Sequence, residues 1–199
     1  MYVVKNLKEK SEIEGYGVFA AEYIPRGTIV FFFGGDDSFI PKERFHSSSE
    51  EEKEIFYRYG VEDEAGNWLL KEDNINHSCD SNILSLFVDG IYCDIAVKDI
   101  NPGEEMTIDY GLFYSSFPWS KECRCDSPIC RKIFGSGLAV DRETQDMWRL
   151  RILEAVARIF EVEQNLFSLE DENARALTAA VKSKRNPKIF PYIKFSLIS

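Results

Sequence analysis

Three cysteines fall within the stretch Cys123-Arg124-Cys125-Asp126-Ser127-Pro128-Ile129-Cys130, and no other feature restricts the folds open to this chain as tightly. Thiols so close in sequence converge on one point, and Pro128 helps the backbone to turn between them. Compartment decides between disulfides and metal. The start, Met1-Tyr2-Val3-Val4-Lys5, lacks the basic, apolar and small-residue succession of a secretory signal, and no apolar run reaches the ~18 residues of a membrane span. An intracellular, reducing location is therefore expected, in the nucleus of a eukaryote or the cytoplasm of a bacterium. There, five cysteines, an odd number, read as metal ligands plus a spare thiol. Tetrahedral zinc needs a fourth donor from elsewhere in the chain, and Cys79, Cys93, His77 and His46 are the candidates. Cys93 sits in a strand-like apolar run, as an ordinary buried thiol does. Cys79 lies in the polar, turn-like segment from Asn76 to Asn82, where a thiol is more freely aimed. One structural Zn2+ is thus assigned to Cys79, Cys123, Cys125 and Cys130. Four thiolates leave no open position, so this ion holds architecture together, pinning the later arm of the chain onto the 76–82 loop.

The 199 residues suit one compact domain, or one with a short appendage. Acidic side chains number 34 against 24 basic ones, for a net charge of −10, and residues 1–100 carry 20 acidic against 10 basic. Such a surface repels phosphate backbones and attracts cations. Direct, sequence-independent nucleic-acid binding is not expected, and a basic peptide or protein tail is the expected partner.

Short apolar runs cut by glycines and prolines fill the first two thirds. Thr28 to Phe33 is β-branched and aromatic without polar alternation, as in a strand covered on both faces. Pro41 to Tyr59 predicts a short, highly charged helix with a solvated face. Ile83–Val88 and Ile91–Val97, separated by Asp89-Gly90, predict a hairpin. Met106 to Tyr110 follows the Asn101-Pro102-Gly103-Glu104 turn as a further strand. The pattern is β-rich, and neither a phosphate loop nor a dinucleotide glycine fingerprint is present. After Cys130 the periodicity becomes helical. Met147, Leu150, Leu153, Val156, Phe160 and Phe167 outline a helix from about Thr144 to Leu166, its apolar face widened by Trp148, Ile152 and Ile159. Ser168 is the expected cap of a second helix through about Lys182, with Asp171 in the capping-box position, and Pro187 and Pro191 follow it. The apolar positions of this helical pair read as core contacts, with a homodimer stripe as the alternative.

Several motifs, in order, resemble those of the SET-domain protein lysine methyltransferases. Gly15-Tyr16-Gly17-Val18-Phe19-Ala20 resembles the opening glycine motif, followed by Ile24 to Val30. Asn76-His77-Ser78-Cys79 with Asn82 resembles the central signature, and Gly103 to Gly111 the catalytic segment. The cysteine triplet resembles the post-SET zinc segment, whose fourth ligand in the family is the signature cysteine, here Cys79. The resemblance covers about residues 10–134. It implies a β-rich SET fold of small curved sheets with a threaded, pseudoknot-like site: a catalytic domain over 1–118, a zinc segment over 119–137 and a helical extension over 138–199. It implies S-adenosylmethionine as cofactor, bound by Gly15, Tyr16, Gly17, Tyr59, Asn76 and His77, with Ile133 or Phe134 covering the adenine. Tyr110 and Tyr59 are the implied catalytic residues, Tyr57 being an alternative to Tyr59. Two positions depart from the family pattern. Phe33 stands where many relatives have an active-site tyrosine, and Ile108 where tyrosine or phenylalanine limits the number of methyl groups added, which points to di- or trimethylation. The implied substrate is a lysine in a histone or histone-like basic tail. A non-histone intracellular target is one alternative, and a noncatalytic zinc-stabilised peptide binder the other.

Overall fold

A computed structural model describes residues 1–33, 38–62, 65–70, 75–88, 91–113, 119–135 and 138–183. The elements in chain order are β1 (Asn6–Lys10), β2 (Tyr16–Ala20), β3 (Ile29–Phe32), β4 (Ser38–Ile40), α1 (Lys42–His46), α2 (Glu50–Tyr59), β5 (Gly60–Glu62), β6 (Trp68–Leu70) and β7 (Asn76–His77). There follow β8 (Ile83–Val88), β9 (Ile91–Ala96), β10 (Glu105–Ile108), β11 (Lys121–Glu122), β12 (Ile133–Phe134), α3 (Arg142–Ala157) and α4 (Glu172–Ser183), with 3-10 turns at Tyr110–Leu112 and Asn165–Ser168.

A curved, mixed sheet in the order β1-β2-β10-β8-β9-β3 forms the body, with β7 also paired to β10. The expected hairpin is β8–β9, in register from Ile83 opposite Ala96 to Val88 opposite Ile91. Its Asp89-Gly90 turn, the Gly34-Gly35 pair and the tail holding Pro187 and Pro191 lie outside the described residues. One face of this sheet, with Phe32, Leu84, Leu86, Cys93 and Ile95, packs against α3 and α4. The other, with Phe31, Tyr92, Met106 and Ile108, closes a second core. Two buried faces explain why Thr28 to Phe33 lacks polar alternation. A smaller sheet, β4-β6-β5, carries an aromatic cluster of Phe45, Phe56 and Trp68.

The helices depart from expectation in three ways. The single helix predicted over 41–59 is broken after His46. Ser49 opens α2 through a capping box with Glu52, whose amide donates to the Ser49 hydroxyl at 3.2 Å while its carboxylate accepts from the Ser49 amide at 2.8 Å. The second departure is that α3 ends at Ala157, not near Leu166, and the inward stripe is the widening set Trp148, Ile152 and Ile159 together with Val156, while Leu150 and Leu153 point outward. Trp148, Ile152, Ala155, Val156 and Ile159 are buried, whereas Leu150 and Leu153 are exposed by 58% and 42%. Both stripes have helical spacing, so periodicity alone does not choose between them. Close approach does: a Cβ on Gly27 would stand 2.9 Å from the Ala155 carbonyl oxygen, so the sheet's turn nestles against the small-residue side of α3. Finally, α4 is capped by Asp171 itself, whose carboxylate accepts from the Ala174 amide at 2.9 Å.

Candidate active site and cysteine cluster

Short polar segments meet beside β10. Thr107 and Ile108 pair in parallel with Asn76 and His77, which sets the central signature alongside the end of the strand preceding Tyr110. Asn82 clips this arrangement. Its Oδ1 accepts from the Thr107 amide at 2.8 Å, and its Nδ2 donates to the Glu105 carbonyl at 2.9 Å. Asn76 reaches the other way, its Nδ2 lying 3.0 Å from the Glu14 carbonyl, 3.3 Å from that of Tyr16 and 2.8 Å from Glu105 Oε1. The glycine motif, the signature and the catalytic segment are thereby stitched together by two buried carboxamides.

Tyr110 is held at both ends. Its amide donates to His77 Nδ1 at 3.1 Å, and its hydroxyl donates to the Ile75 carbonyl at 2.8 Å. Burial, only partly offset by the charge of Asp109, lowers the His77 pKa to about 4. The imidazole is therefore neutral near pH 7, with Nδ1 as acceptor and its proton on Nε2, which faces Cys79 Sγ at 3.4 Å. Burial, with a further contribution from Glu14, holds the Tyr110 hydroxyl well above the ordinary phenol value. It therefore stays protonated and donates to the Ile75 carbonyl. Phe134 lies on the His77 ring with centroids 4.0 Å apart and planes 26° from parallel. Its neighbour Ile133 is exposed.

The sulfurs of Cys79, Cys123, Cys125 and Cys130 all lie within 4.8 Å of one another. Tetrahedral zinc with bonds of about 2.3 Å to sulfur spaces its ligands by roughly 3.8 Å. The Cys79 and Cys123 sulfurs are 3.7 Å apart, so the donor set fits a zinc ion in both chemistry and dimensions. Burial pushes the Cys79 thiol up to about 11, a cost that a bound cation removes by taking the proton's place. Of the other candidates, Cys93 is fully buried in β9 and His46 is exposed at the end of α1.

The glycine motif presents two different surfaces. Gly15 has φ of +54°, and among the described residues nothing lies within 4 Å of where its Cβ would be, so backbone here is open toward them beside the exposed Tyr16. A Cβ on Gly17 would stand 2.1 Å from Glu105 Oε1, so this glycine makes room for a carboxylate of the protein itself. Open backbone at Gly15, the neighbouring Asn76 carboxamide and the stacked Phe134–His77 rings suit a ligand with a planar base and polar groups, as S-adenosylmethionine has. Tyr59 is half-buried at the end of α2, where the chain enters β5. Tyr57 packs on Phe45 and Trp68, with centroids 5.8 and 6.0 Å away. Phe33 is buried edge-on against Phe31 and Tyr92, and Ile108 is fully enclosed.

Sequence reasoning missed two residues. Glu105 accepts from Asn76 and, through Oε2, from the Ser11 hydroxyl at 2.9 Å. Asp109 is completely buried and accepts two bonds from Arg131, at 2.7 and 2.5 Å, one from the Gly111 amide at 2.9 Å and one from Trp148 Nε1 at 3.2 Å. His77 Nδ1 is also 3.6 Å from this carboxylate, but it is already an acceptor and the two form no ion pair. A carboxylate directly after an apolar strand is a signal that a buried cation is needed, though nothing local names Arg131.

Comparison with known proteins completes the description of the site. Residues 15–111 match the family model described as the SET domain. The variant-silencing SET domain-containing protein of Plasmodium falciparum is 30% identical over 150 residues, covering 64% of this chain and 6% of that protein. Histone-lysine N-methyltransferase EZH2 of Chaetomium thermophilum is 31% identical over 119 residues, 51% of this chain and 8% of that protein. Among solved structures, Chaetomium thermophilum Polycomb Repressive Complex 2 bound to GSK126 aligns with 54% of this chain and 16% of its own, at 27% identity and a TM-score of 0.45. The chain thus spans less than a tenth of the length of the two curated relatives.

Proposed function

Residues 15–111 match the SET-domain family model, and from that premise we propose that the protein is an S-adenosylmethionine-dependent protein-lysine N-methyltransferase. The observation that carries this reading is the junction of β7 with β10, which sets Asn76 and His77 beside Tyr110 and under Phe134. Gly15, Tyr16, Gly17, Asn76, His77 and Phe134 would hold the cofactor, with Tyr59 completing the set from α2. When bound, the cofactor supplies a methyl group on a positively charged sulfur, activated for transfer to a nucleophile. One zinc ion on Cys79, Cys123, Cys125 and Cys130 would keep Phe134 in place, since β12 begins three residues after the last ligand.

Tyr110 orients the substrate amine with a hydroxyl that remains protonated, and contributes its dipole to the transition state. No side chain acts as a general base. The lysine loses its proton to solvent on entering an apolar channel, where burial disfavours the charged amine. Ile108 carries no hydroxyl to hold a water or the amine, which leaves room for di- or trimethylation. The acidic excess of residues 1–100 suits a basic tail, and a histone or histone-like tail is the proposed substrate.

The test is transfer of an isotopically labelled methyl group, read by intact mass, to core histones and in parallel to a methyltransferase-depleted extract. Label on a histone lysine, largely lost in Tyr110→Phe at unchanged zinc content, is the expected result. Label only on another protein would replace the histone substrate while keeping the enzyme. Cofactor binding with no label anywhere would overturn catalysis in favour of a binding module.

A further inference from the structure

The segment carrying Tyr110 is clamped from outside the family-matched region. Trp148, on α3, is almost fully buried, and its indole N–H donates to Asp109 Oδ2 at 3.2 Å. The same indole covers the next turn of backbone: a Cβ on Gly111 would stand 3.1 Å from Trp148 Cη2. Trp148 therefore touches the residues on both sides of Tyr110. Across the carboxylate, Arg131 completes the enclosure, its guanidinium 5.9 Å from the Trp148 ring centroid. The Arg131 amide, in turn, lies 3.4 Å from Cys79 Sγ.

We propose that Trp148 is a positioning residue for Tyr110, acting through Asp109 and the Tyr110–Leu112 turn, so that α3 is a working part of the methyl-transfer site. This rests on the methyltransferase reading above. The Asp109 carboxylate is saturated with donors. A carboxylate offers about four acceptor positions, and Asp109, with no exposed surface, has four donors among the described residues. Taking away the indole N–H leaves an unfilled position on a buried anion, which the carboxylate relieves by rotating. Rotation disturbs the bond to the Gly111 amide, and with it the turn that aims the Tyr110 ring and presents its amide to His77 Nδ1. A tyrosine set roughly 1 Å from its productive position loses on the order of a hundredfold in rate, because the methyl transfer depends on alignment.

The experiment uses the full zinc-loaded chain and Trp148→Phe, which keeps an aromatic ring and deletes the N–H. Methyl transfer is compared in wild type, Trp148→Phe, Tyr110→Phe and the double variant, with Leu150→Ala on the exposed face of α3 as control. The expected result is a kcat at least tenfold lower in Trp148→Phe, KM values for cofactor and peptide within twofold, and no further loss when Trp148→Phe is added to Tyr110→Phe. Losses that multiply in the double variant, or a wild-type kcat in Trp148→Phe, would overturn the proposal. So would a fall in zinc stoichiometry that parallels the fall in rate. Amide hydrogen exchange supplies a readout independent of turnover: Tyr110 and Gly111 exchange at least tenfold faster in Trp148→Phe, while Ile95 in β9 is unchanged. A wild-type chain that transfers no methyl would defeat the functional reading alone, and unchanged Tyr110 exchange would defeat the positioning role whatever the activity.

Discussion

Glu105 shows how one side chain decides what its neighbours must be. Its carboxylate is shared between Ser11 and Asn76, and it occupies the place where Gly17 would carry a Cβ. Gly17→Ala must therefore displace Glu105 and break both bonds. Asn76 keeps the Glu14 and Tyr16 carbonyls while the Ser11 hydroxyl loses its acceptor, so the expected destabilisation is about 1 kcal/mol, read as a lower urea midpoint together with weaker cofactor binding. At Tyr110 the consequence concerns pH. Its hydroxyl is held above the ordinary phenol value, so it stays protonated throughout the range in which the substrate lysine loses its proton. Methyl transfer is expected to climb steadily from pH 7 to pH 10 with one proton lost from the substrate, and no descending limb from the tyrosine. A rate that falls above pH 9 in wild type, with the fall absent from Tyr110→Phe, would contradict this. The cysteines and the Asn76–His77 pair were legible because their chemistry is local to a motif. Asp109 was not, because its partners are 22 and 39 residues away, in a loop and a helix whose approach no periodicity encodes.

Among the elements, strands were easier to read than helices. The β8–β9 hairpin declares itself through two β-branched runs around Asp89-Gly90, and burial on both faces accounts for the apolar β3. For α3 the sequence offered two interleaved stripes, and the inward one was settled by contacts that only the fold supplies. Beyond the helix, Gln164, just before the Asn165–Ser168 turn, ties the same region to the sheet. Its side chain accepts from the Ile29 amide at 3.0 Å and donates to the Gly27 and Ile159 carbonyls at 2.8 and 3.1 Å. One carboxamide thus satisfies three buried backbone groups belonging to β3, the turn before it and the end of the α3 segment. Gln164→Leu keeps most of the volume and removes every one of these partners. It is expected to cost on the order of 3 kcal/mol, measured by urea or thermal unfolding, with zinc stoichiometry unchanged. A loss below about 1 kcal/mol would mean that water replaces the side chain.

For the whole molecule, the boundary of the matched family segment is not a boundary of the core. Trp148, Ile152, Ala155, Val156, Leu166, Ala174 and Leu177 share one cluster with Phe32, Leu84, Leu86 and Ile95. Polar contacts join them: Arg151 to Asp80 at 2.7 Å, Arg26 to Glu154 at 2.7 Å, and Asn173 to the Phe33 carbonyl at 3.2 Å. A chain consisting of residues 15–111 is therefore expected to be unfolded or aggregated, with no cooperative transition by circular dichroism, whereas the full chain shows one. The order of synthesis gives the Asp109 junction a temporal meaning. A ribosome delivers the glycine motif, the central signature and Tyr110 well before it delivers Arg131 and Trp148, and the buried carboxylate has neither counter-charge nor cover until those arrive. The centre is consequently completed only some time after its own residues have been made, so a nascent or prematurely terminated chain carries the residues for chemistry in an inert form.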